Sequence, residues 1–159
     1  EKDLPVKLVR PFNIYGPNMY ENDYRVLSNF ISKILKDEPI TIYGDGKQSR
    51  TFCYITDAIK GFFRVLVRGE RGGMYNIGNP TPELDMVKLA EILYNVAGKP
   101  NTSKLVPYPF YYPHDEPRRR CPDITKAMKD LGFNPTVNIN EGLKRMYKWA
   151  QLNYYKNKT

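Results

Sequence analysis

The stretch YGDGKQSRTF, residues 43–52, contains side chains whose types and spacing suit three kinds of chemistry. Tyr43 and Lys47 have the Tyr-x-x-x-Lys spacing of a catalytic pair, in which an ammonium group lowers the pKa of a phenol. The glycines between them suit a loop whose backbone amides cradle a phosphate. The same glycines also suit a tight turn between two strands, with Arg50 beyond the turn as an anion-binding residue.

The first two interpretations lack the context that they need. A Tyr-x-x-x-Lys pair requires both side chains on one face of a helix, and Gly44 and Gly46 disfavour a helix here. Tyr154 and Lys158 repeat the spacing in the C-terminal tail, and we interpret both matches as chance. The stretch also lacks the GxxxxGK[ST] frame of a phosphate-binding loop. The turn remains, with an Arg50 guanidinium that could hold a diphosphate through paired hydrogen bonds.

Size and charge bound the kind of protein. The chain has 159 residues, of which 41% are hydrophobic, so it can form one folded domain. Its formal net charge of +8 predicts attraction to nucleic acid, an acidic membrane or a phosphorylated small molecule. The basic residues are dispersed along the chain except for the run Arg118–Arg120. This distribution favours one or two anion sites over a nucleic-acid-binding stripe.

Cysteine and histidine usage argues against a metal site. Cys53 and Cys121 lie outside any CxxC or CxxH pattern, and His114 is the one histidine, so we expect no zinc and reduced thiols. No apolar run reaches the roughly 20 residues of a membrane span. The start, EKDLPVKLVRPF, lacks the pattern of a signal peptide. We therefore expect a cytoplasmic protein.

Apolar periodicity and turn residues predict one α/β domain in which helices outnumber short strands. Predicted strands cover 6–10, 40–43, 50–54, 74–77 and 105–107, and the first is expected to stop at Pro11. Predicted helices cover 25–36, 57–67, 82–97, a short segment up to Gly132, and 141–155. The predicted helix caps are Thr56, Thr81 followed by Pro82, Asp123 and Asn140, and Asp57 is expected to interact with a helix dipole.

Four segments occur in an order that resembles the C-terminal half of the extended short-chain dehydrogenase/reductase family. They are RPFNIYGP, IYGDGKQSRTFCYITDAIKGF, YNIGNP and DEPRRRCPDITKAMKDLGFNP. The resemblance implies an enzyme that acts on nucleotide sugars with NAD. Within the family, the run NDYRVLSNF after GPNM, the GDGKQSR turn and the closing RRRCPDI look most like UDP-glucuronate decarboxylases. The dTDP-glucose 4,6-dehydratases are the near neighbour.

The resemblance implies a substrate-binding role for particular residues. Asn13 would hydrogen-bond the diphosphate side of the sugar nucleotide. The segment Thr41, Ile42 and Tyr43 would hold the uracil and ribose through backbone contacts and stacking. Gln48 and Arg50 would bind ribose and phosphate, His114 would lie near the nucleotide, and Arg25 and Arg120 complete the implied substrate-binding set.

Catalytic and cofactor roles are implied in the same way. Arg120 would reach the substrate from the last loop, near its carboxylate or as a proton donor. Arg25 would face the active site, close to both cofactor and sugar. Phe12 and Ile14 would lie near the nicotinamide, and Tyr20 is the remaining residue implied at the cofactor.

Plainer interpretations apply to some of the same side chains. Phe12 and Tyr15 could be core aromatics, and the aromatic run at 108–112 could simply pack a loop. Arg118 and Arg119 could be solvated, which leaves Arg120 as the functional member of that run.

The residues that would start the chemistry are absent from this sequence. The family's first half supplies a dinucleotide-binding glycine fingerprint and a helical Tyr-x-x-x-Lys. Neither is found here, and VKLVRPF corresponds to the last parallel strand of the cofactor sheet. We therefore predict that residues 1–159 are the C-terminal substrate-binding portion of a Rossmann-type enzyme. It would comprise that last strand plus a small helix-rich domain with short strands, and would be inactive alone.

For the intact enzyme, the resemblance implies NAD bound mainly by the missing part, and conversion of UDP-glucuronate to UDP-xylose and CO2 through a 4-keto sugar. It implies a UDP-sugar or other nucleotide-sugar substrate, a homodimer, and no nucleic-acid or membrane partner. The alternatives are a dehydratase or epimerase, a non-catalytic sugar-nucleotide binder, and a basic nucleic-acid-binding module with salt-sensitive affinity. An unpaired strand edge also predicts that the chain alone aggregates.

Overall fold

The computed structural model describes residues 4–21, 23–110 and 116–155. It is an α/β structure of five helices and nine short strands within those ranges, so strands are the more numerous elements, contrary to the prediction. Helices nevertheless hold most of the residues in regular structure. His114 lies outside the described residues.

A parallel strand pair and one helix form the first layer. Strand β1 (Leu8–Pro11) pairs in parallel with β6 (Met74–Ile77), and helix α2 (Ile55–Arg68) packs against both. The helix approaches closely because Gly61 has no side chain: a β-carbon there would lie 2.6 Å from Ile77 Cγ2. A second parallel pair, β2 (Ile14–Tyr15) with β5 (Cys53–Tyr54), leads directly into α2.

Three helices surround the larger core. These are α1 (Val26–Leu35), α3 (Met86–Ala97) and α5 (Ile139–Asn153), each with its apolar face directed inward. Helix α4 (Thr125–Leu131) belongs to a smaller core with α2 and β6. The fully buried members of the larger core include Ile31, Ile40, Leu89, Ala90, Leu93, Leu143, Met146 and Ala150.

Two small sheets lie beside the helical core. Strand β3 (Thr41–Tyr43) pairs in parallel with β8 (Lys104–Val106). Strand β4 (Ser49–Arg50) lies between β7 (Leu84–Asp85), which is antiparallel to it, and β9 (Arg119–Arg120), which is parallel. Gly44 and Gly46, with φ of 66° and 69°, make the predicted turn between β3 and β4.

The sequence predicted some strand and helix ends correctly, but it predicted the helix starts poorly. The strand at 74–77 and the left-handed helix end at Gly132 are as predicted. Pro11 lies within β1 rather than after it. Helix α2 begins at Ile55, so Thr56 lies inside its first turn and is not the cap. Before α4, the Asp123 carboxylate accepts from the Thr125 amide, although the cap position is the next residue.

The starts of α3 and α5 also differ from the prediction. Helix α3 begins at Met86, where the Asp85 side chain accepts a hydrogen bond from the Lys88 amide. Thr81 is therefore not a cap, and the Thr81–Pro82 peptide is cis. Helix α5 is capped by Asn138, whose side chain accepts from the Glu141 amide, and not by Asn140.

Asp57 has a different role from the one predicted. Its carboxylate is buried and accepts hydrogen bonds from the backbone amides of Thr136 and Val137, both at 2.8 Å. A helix-dipole interaction is therefore secondary, because the carboxylate fastens the start of α2 to the segment that precedes α5.

Among the described residues, no helix is both long enough and apolar enough to cross a bilayer. Within the same ranges, no group of three or more histidine, cysteine or acidic side chains is arranged to hold a metal ion.

Candidate anion site on the central small sheet

Two of the predicted site residues lie side by side on the β4–β9 ladder. The register pairs Arg50 with Arg120 and Ser49 with Arg119. Because side chains alternate across a strand, Arg50 and Arg120 project from one face of this sheet, and Ser49 and Arg119 from the other. The ladder thus brings together two cations from distant parts of the sequence.

Glu116 joins the two guanidinium groups. Its Oε1 accepts hydrogen bonds from Arg50 Nη2 and, at 3.4 Å, from Arg120 Nη2. Arg50 is buried, and its Nη1 also donates to the carbonyls of Ser49 and Arg118 at 2.8 and 3.3 Å. Arg120 is more open, with 42% of its side chain exposed. The arrangement is a buried cation and a more accessible cation that share one carboxylate.

The opposite face of the ladder carries a separate ion pair. Arg119 donates to both carboxylate oxygens of Glu83 at 2.8–3.0 Å, and Ser49 Oγ donates to the same carboxylate. The hydrogen bond from Arg119 keeps the pKa of Glu83 below its usual value. Arg118 pairs with Asp45 in the glycine turn at 2.7 Å and likewise lowers the pKa of that carboxyl. Both pairs are exposed, which agrees with the plainer interpretation of Arg118 and Arg119.

The glycine turn that precedes Arg50 connects β4 to an aromatic pair. Gln48 Nε2 donates to the Tyr43 carbonyl at 3.2 Å. The Tyr43 ring lies 6.0 Å from the Tyr108 ring, centroid to centroid, at an interplanar angle of 35°. Thr41 is half-buried, whereas the Ile42 side chain is buried in the core, so only its backbone could contact a ligand.

Asn13 reaches the same region through the backbone after Arg50. Its side-chain amide donates to the Thr51 carbonyl at 2.8 Å, and the Thr51 amide donates to the Arg120 carbonyl at 3.4 Å. Phe12 and Ile14 flank Asn13 and are half-buried. Asn13 has a φ of 42°, a left-handed conformation that asparagine tolerates better than most residues.

Arg25 and Tyr20 lie on the loop before α1. The Arg25 guanidinium pairs with Asp23 on that loop, and this hydrogen bond lowers the pKa of the Asp23 carboxyl. Tyr20 is exposed. The hydrogen bonds and strand register therefore connect Asn13, Arg50 and Arg120, whereas the Arg25 guanidinium is held by Asp23.

Sequence reasoning missed Glu116 and Thr51, which connect these residues. Glu116 stands in the quoted segment DEPRRR, but nothing local distinguishes it from any other loop acid. Its role depends on the β4–β9 pairing, which joins residues far apart in the chain. An open groove between α3 and α5, lined by residues including Ile92, Asn95 and Lys144, contains none of the predicted site residues.

Comparison with known proteins identifies the class. Residues 1–78 match the NAD dependent epimerase/dehydratase family. The UDP-glucuronic acid 4-epimerase of Bacillus cereus, solved with UDP-glucuronic acid and NAD, superposes with a TM-score of 0.84 at 31% identity, over 95% of this chain and 46% of that one. The first 78 residues thus match the model of that family, and these likenesses confirm the predicted resemblance.

Within that family, the chain is similar to UDP-glucuronic acid decarboxylases. It is 40% identical to decarboxylase 2 of Arabidopsis thaliana over 92% of this chain and 32% of that protein. It also superposes on the dTDP-glucose 4,6-dehydratase DesIV of Streptomyces venezuelae, solved with NAD and TYD, with a TM-score of 0.82 at 28% identity, over 94% of this chain and 45% of DesIV. The chain thus spans about a third of that curated relative and under half of these solved structures.

Proposed function

We propose that the chain is the C-terminal, substrate-binding part of an NAD-dependent nucleotide-sugar enzyme, and that the reaction is decarboxylation of UDP-glucuronate. The observation that carries the proposal is the adjacency of Arg50 and Arg120 on one sheet face, joined to Asn13 through Thr51. Similarity to UDP-glucuronic acid decarboxylases over 92% of the chain supports the choice of reaction.

The site residues suit a nucleoside diphosphate sugar. Two adjacent guanidinium groups can bind the two phosphates through charge-assisted hydrogen bonds. The Tyr43–Tyr108 pair, connected to this face by Gln48, provides an aromatic surface for the base. Arg120, as the more exposed arginine, is the one that can extend from the phosphates toward the sugar. Arg25, Ile42, Thr41 and His114 are the other proposed substrate contacts.

This chain could form only part of an NAD-binding site. Phe12, Asn13 and Ile14 follow the carboxyl end of β1, and ligands of parallel sheets bind outside the carboxyl ends of strands. The sequence offers no glycine fingerprint for the pyrophosphate of a dinucleotide. Bound NAD would supply reversible hydride transfer, and Phe12, Ile14, Tyr20 and Arg25 would contribute contacts on one side of it.

A dehydratase or epimerase reaction is the second candidate, favoured by the likeness to DesIV and to the Bacillus cereus epimerase. The basic nucleic-acid-binding module is disfavoured, because Arg118, Arg119 and Arg120 each pair with an acidic side chain. A homodimeric full-length enzyme located in the cytoplasm is also part of the proposal. The free state of both cysteines agrees with a reducing compartment.

Reconstitution tests the reaction. The 159-residue chain would be co-expressed with the portion of Arabidopsis decarboxylase 2 that it does not match, and supplied with NAD and, separately, UDP-glucuronate and dTDP-glucose. UDP-xylose with release of CO2 is the expected result. A 4-keto-6-deoxy sugar would instead establish the dehydratase alternative. If the assembled complex binds UDP but converts neither substrate, the result would support the alternative of a non-catalytic binder.

A further inference from the structure

The pairing of Arg50 with Arg120 places two positive charges side by side, and one acidic residue reduces their repulsion. Neighbouring strands in a sheet lie about 4.8 Å apart, and like charges directly beside each other on one face are destabilising. Arg50 is also buried, with 8% of its surface exposed, and a buried cation requires a counter-ion. Among the described residues, Glu116 is the one acidic side chain that contacts either guanidinium.

Neutralisation by Glu116 is incomplete. One carboxylate faces two guanidinium groups, and its hydrogen bond to Arg120 is long, at 3.4 Å. Gln48 precedes Arg50 by two residues, so an extended backbone places it on the same face, and its Oε1 is buried without a partner in the described residues. Donors of Arg120 are therefore available to an anion, whereas the Gln48 acceptor would suit a hydroxyl group of the ligand and not its phosphates.

Glu116 is also more accessible than Arg50. Its side chain is 32% exposed, against 10% for the Arg50 side chain that it contacts. An incoming anion therefore meets the carboxylate before it reaches Arg50, and the two negative groups compete for the same guanidinium donors. A ligand that binds Arg50 must either repel Glu116 or take its place.

We propose that Glu116 is an internal counter-ion, which holds the Arg50–Arg120 pair when no ligand is bound and is displaced by the diphosphate of the ligand. This inference rests on the proposed function and adds a selectivity to it. A group with two or more negative charges interacts with the two guanidinium groups more strongly than Glu116 does, so it can displace the carboxylate. A monoanion such as chloride only replaces one negative charge by another and gains no binding free energy.

The test compares Glu116→Gln with wild type in the 159-residue chain. Loss of the competing charge is expected to tighten binding of both inorganic pyrophosphate and UDP by about tenfold or more, measured by calorimetry. The unliganded variant should melt at a lower temperature than wild type, and pyrophosphate should restore more of its stability than it adds to wild type. Equal or weaker binding of both ligands by the variant would overturn the inference.

Glu83→Gln is the matched control. It makes the same chemical change at the carboxylate that faces Arg119 on the other side of the ladder, so its ligand affinities should stay at wild-type values. Tighter binding in Glu83→Gln as well would mean a non-specific charge effect and overturn the inference. Should Glu116→Gln not fold, Glu116→Asp keeps the charge at shorter reach, and a gain of a few-fold is expected. No gain there would count against the counter-ion.

The two ligands separate this inference from the proposed function. Tighter pyrophosphate binding by Glu116→Gln, with no preference for UDP in either protein, would uphold the counter-ion and refute the nucleotide-sugar site. A preference for UDP in wild type, with no gain in Glu116→Gln, would uphold the site and refute the counter-ion.

Discussion

At the scale of single residues, the buried Asp57 carboxylate is important for the stability of the fold. Its buried carboxylate accepts two backbone amide hydrogen bonds at 2.8 Å, from Thr136 and Val137. These amides belong to a segment without regular structure, which has no other anchor of this kind to α2 within the described residues. The side chain thus substitutes for secondary structure at the junction before α5.

We expect Asp57→Asn to lower the free energy of unfolding by about 1–3 kcal/mol, because a neutral amide oxygen accepts weaker hydrogen bonds from the two backbone amides than a carboxylate does, and the amide NH2 would face the Lys60 ammonium. Urea unfolding followed by circular dichroism measures this change. Asp37→Asn is the control, since Asp37 pairs with Lys99 at the surface, where such pairs contribute little. Similar losses in both variants would contradict the role of burial.

Cys53 makes stability depend on pH in the alkaline range. Burial, with a smaller contribution from Asp57, raises the pKa of its thiol from 9.0 to about 12. Between these values the unfolded chain releases a proton that the folded chain keeps. The free energy of unfolding should therefore be undiminished below about pH 9 and fall as the pH rises, by at most about 1.4 kcal/mol per unit.

Urea unfolding at about pH 8, 9 and 10 tests this dependence on ionisation of the thiol. Cys53→Ala removes the thiol and should flatten the profile, although the smaller side chain lowers stability at every pH. Burial also raises the pKa of Tyr15, Tyr147 and Tyr154 above 10.0, so these tyrosines begin to contribute only near pH 10. An equally steep fall in Cys53→Ala would assign the effect to another group.

At the scale of elements, α5 packs against β2 and β5 through a contact that permits only glycine. A β-carbon on Gly142 would overlap the Tyr15 hydroxyl oxygen and lie 2.8 Å from Tyr15 Cζ. That hydroxyl is buried and has no hydrogen-bond partner among the described residues. The helix therefore approaches an aromatic ring whose polar atom contributes no hydrogen bond there.

Gly142→Ala should destabilise the protein by about 1–3 kcal/mol through overpacking. Tyr15→Phe should be close to neutral, because it removes a buried hydroxyl without a partner. The double variant should recover about 1 kcal/mol relative to the sum of the two, since the overlapping oxygen is absent. Urea unfolding of all four proteins gives the coupling. Strict additivity would show that the helix moves away from the ring instead.

The elements also show how far the sequence determines the structure. Strand β6 and the Gly44–Gly46 turn were predictable because their signals are local: a short apolar run and glycines with positive φ. The helix starts were not, because Asp85 and Asn138 cap α3 and α5 in place of the predicted residues. Asp57, at the start of α2, accepts from a distant segment. The same holds for the site. Arg50 and Arg120 could be nominated individually, but the register that joins them, and Glu116 between them, depends on long-range pairing.

At the scale of the whole molecule, one side of α2 has no covering element among the residues that the structure describes. Phe63, Leu66 and Val67 are 62%, 66% and 75% exposed, and Ile59 completes the stripe at helical spacing. The nearby strand β1 pairs only with β6 among the described strands, so its other edge is open. Apolar stripes and open edges of this kind promote association.

We expect the 159-residue chain to self-associate in solution, and Phe63→Lys to reduce association without loss of helical content. Light scattering after size-exclusion chromatography measures the first, and circular dichroism the second. Leu152→Lys on α5, at a site 54% exposed, is the control and should have the smaller effect. A monomeric wild-type chain with a sharp, reversible melt would refute this expectation.

The β4–β9 ladder has a consequence for the order of events after synthesis. Arg50 and Glu116 are 66 positions apart along the chain, and the helix α3 and strand β8 lie between them. Closing so long a loop is slow and entropically costly compared with forming a turn or a helix. Affinity for phosphate should consequently return late in refolding. The rate at which this affinity returns would therefore report when the native strand pairing is complete.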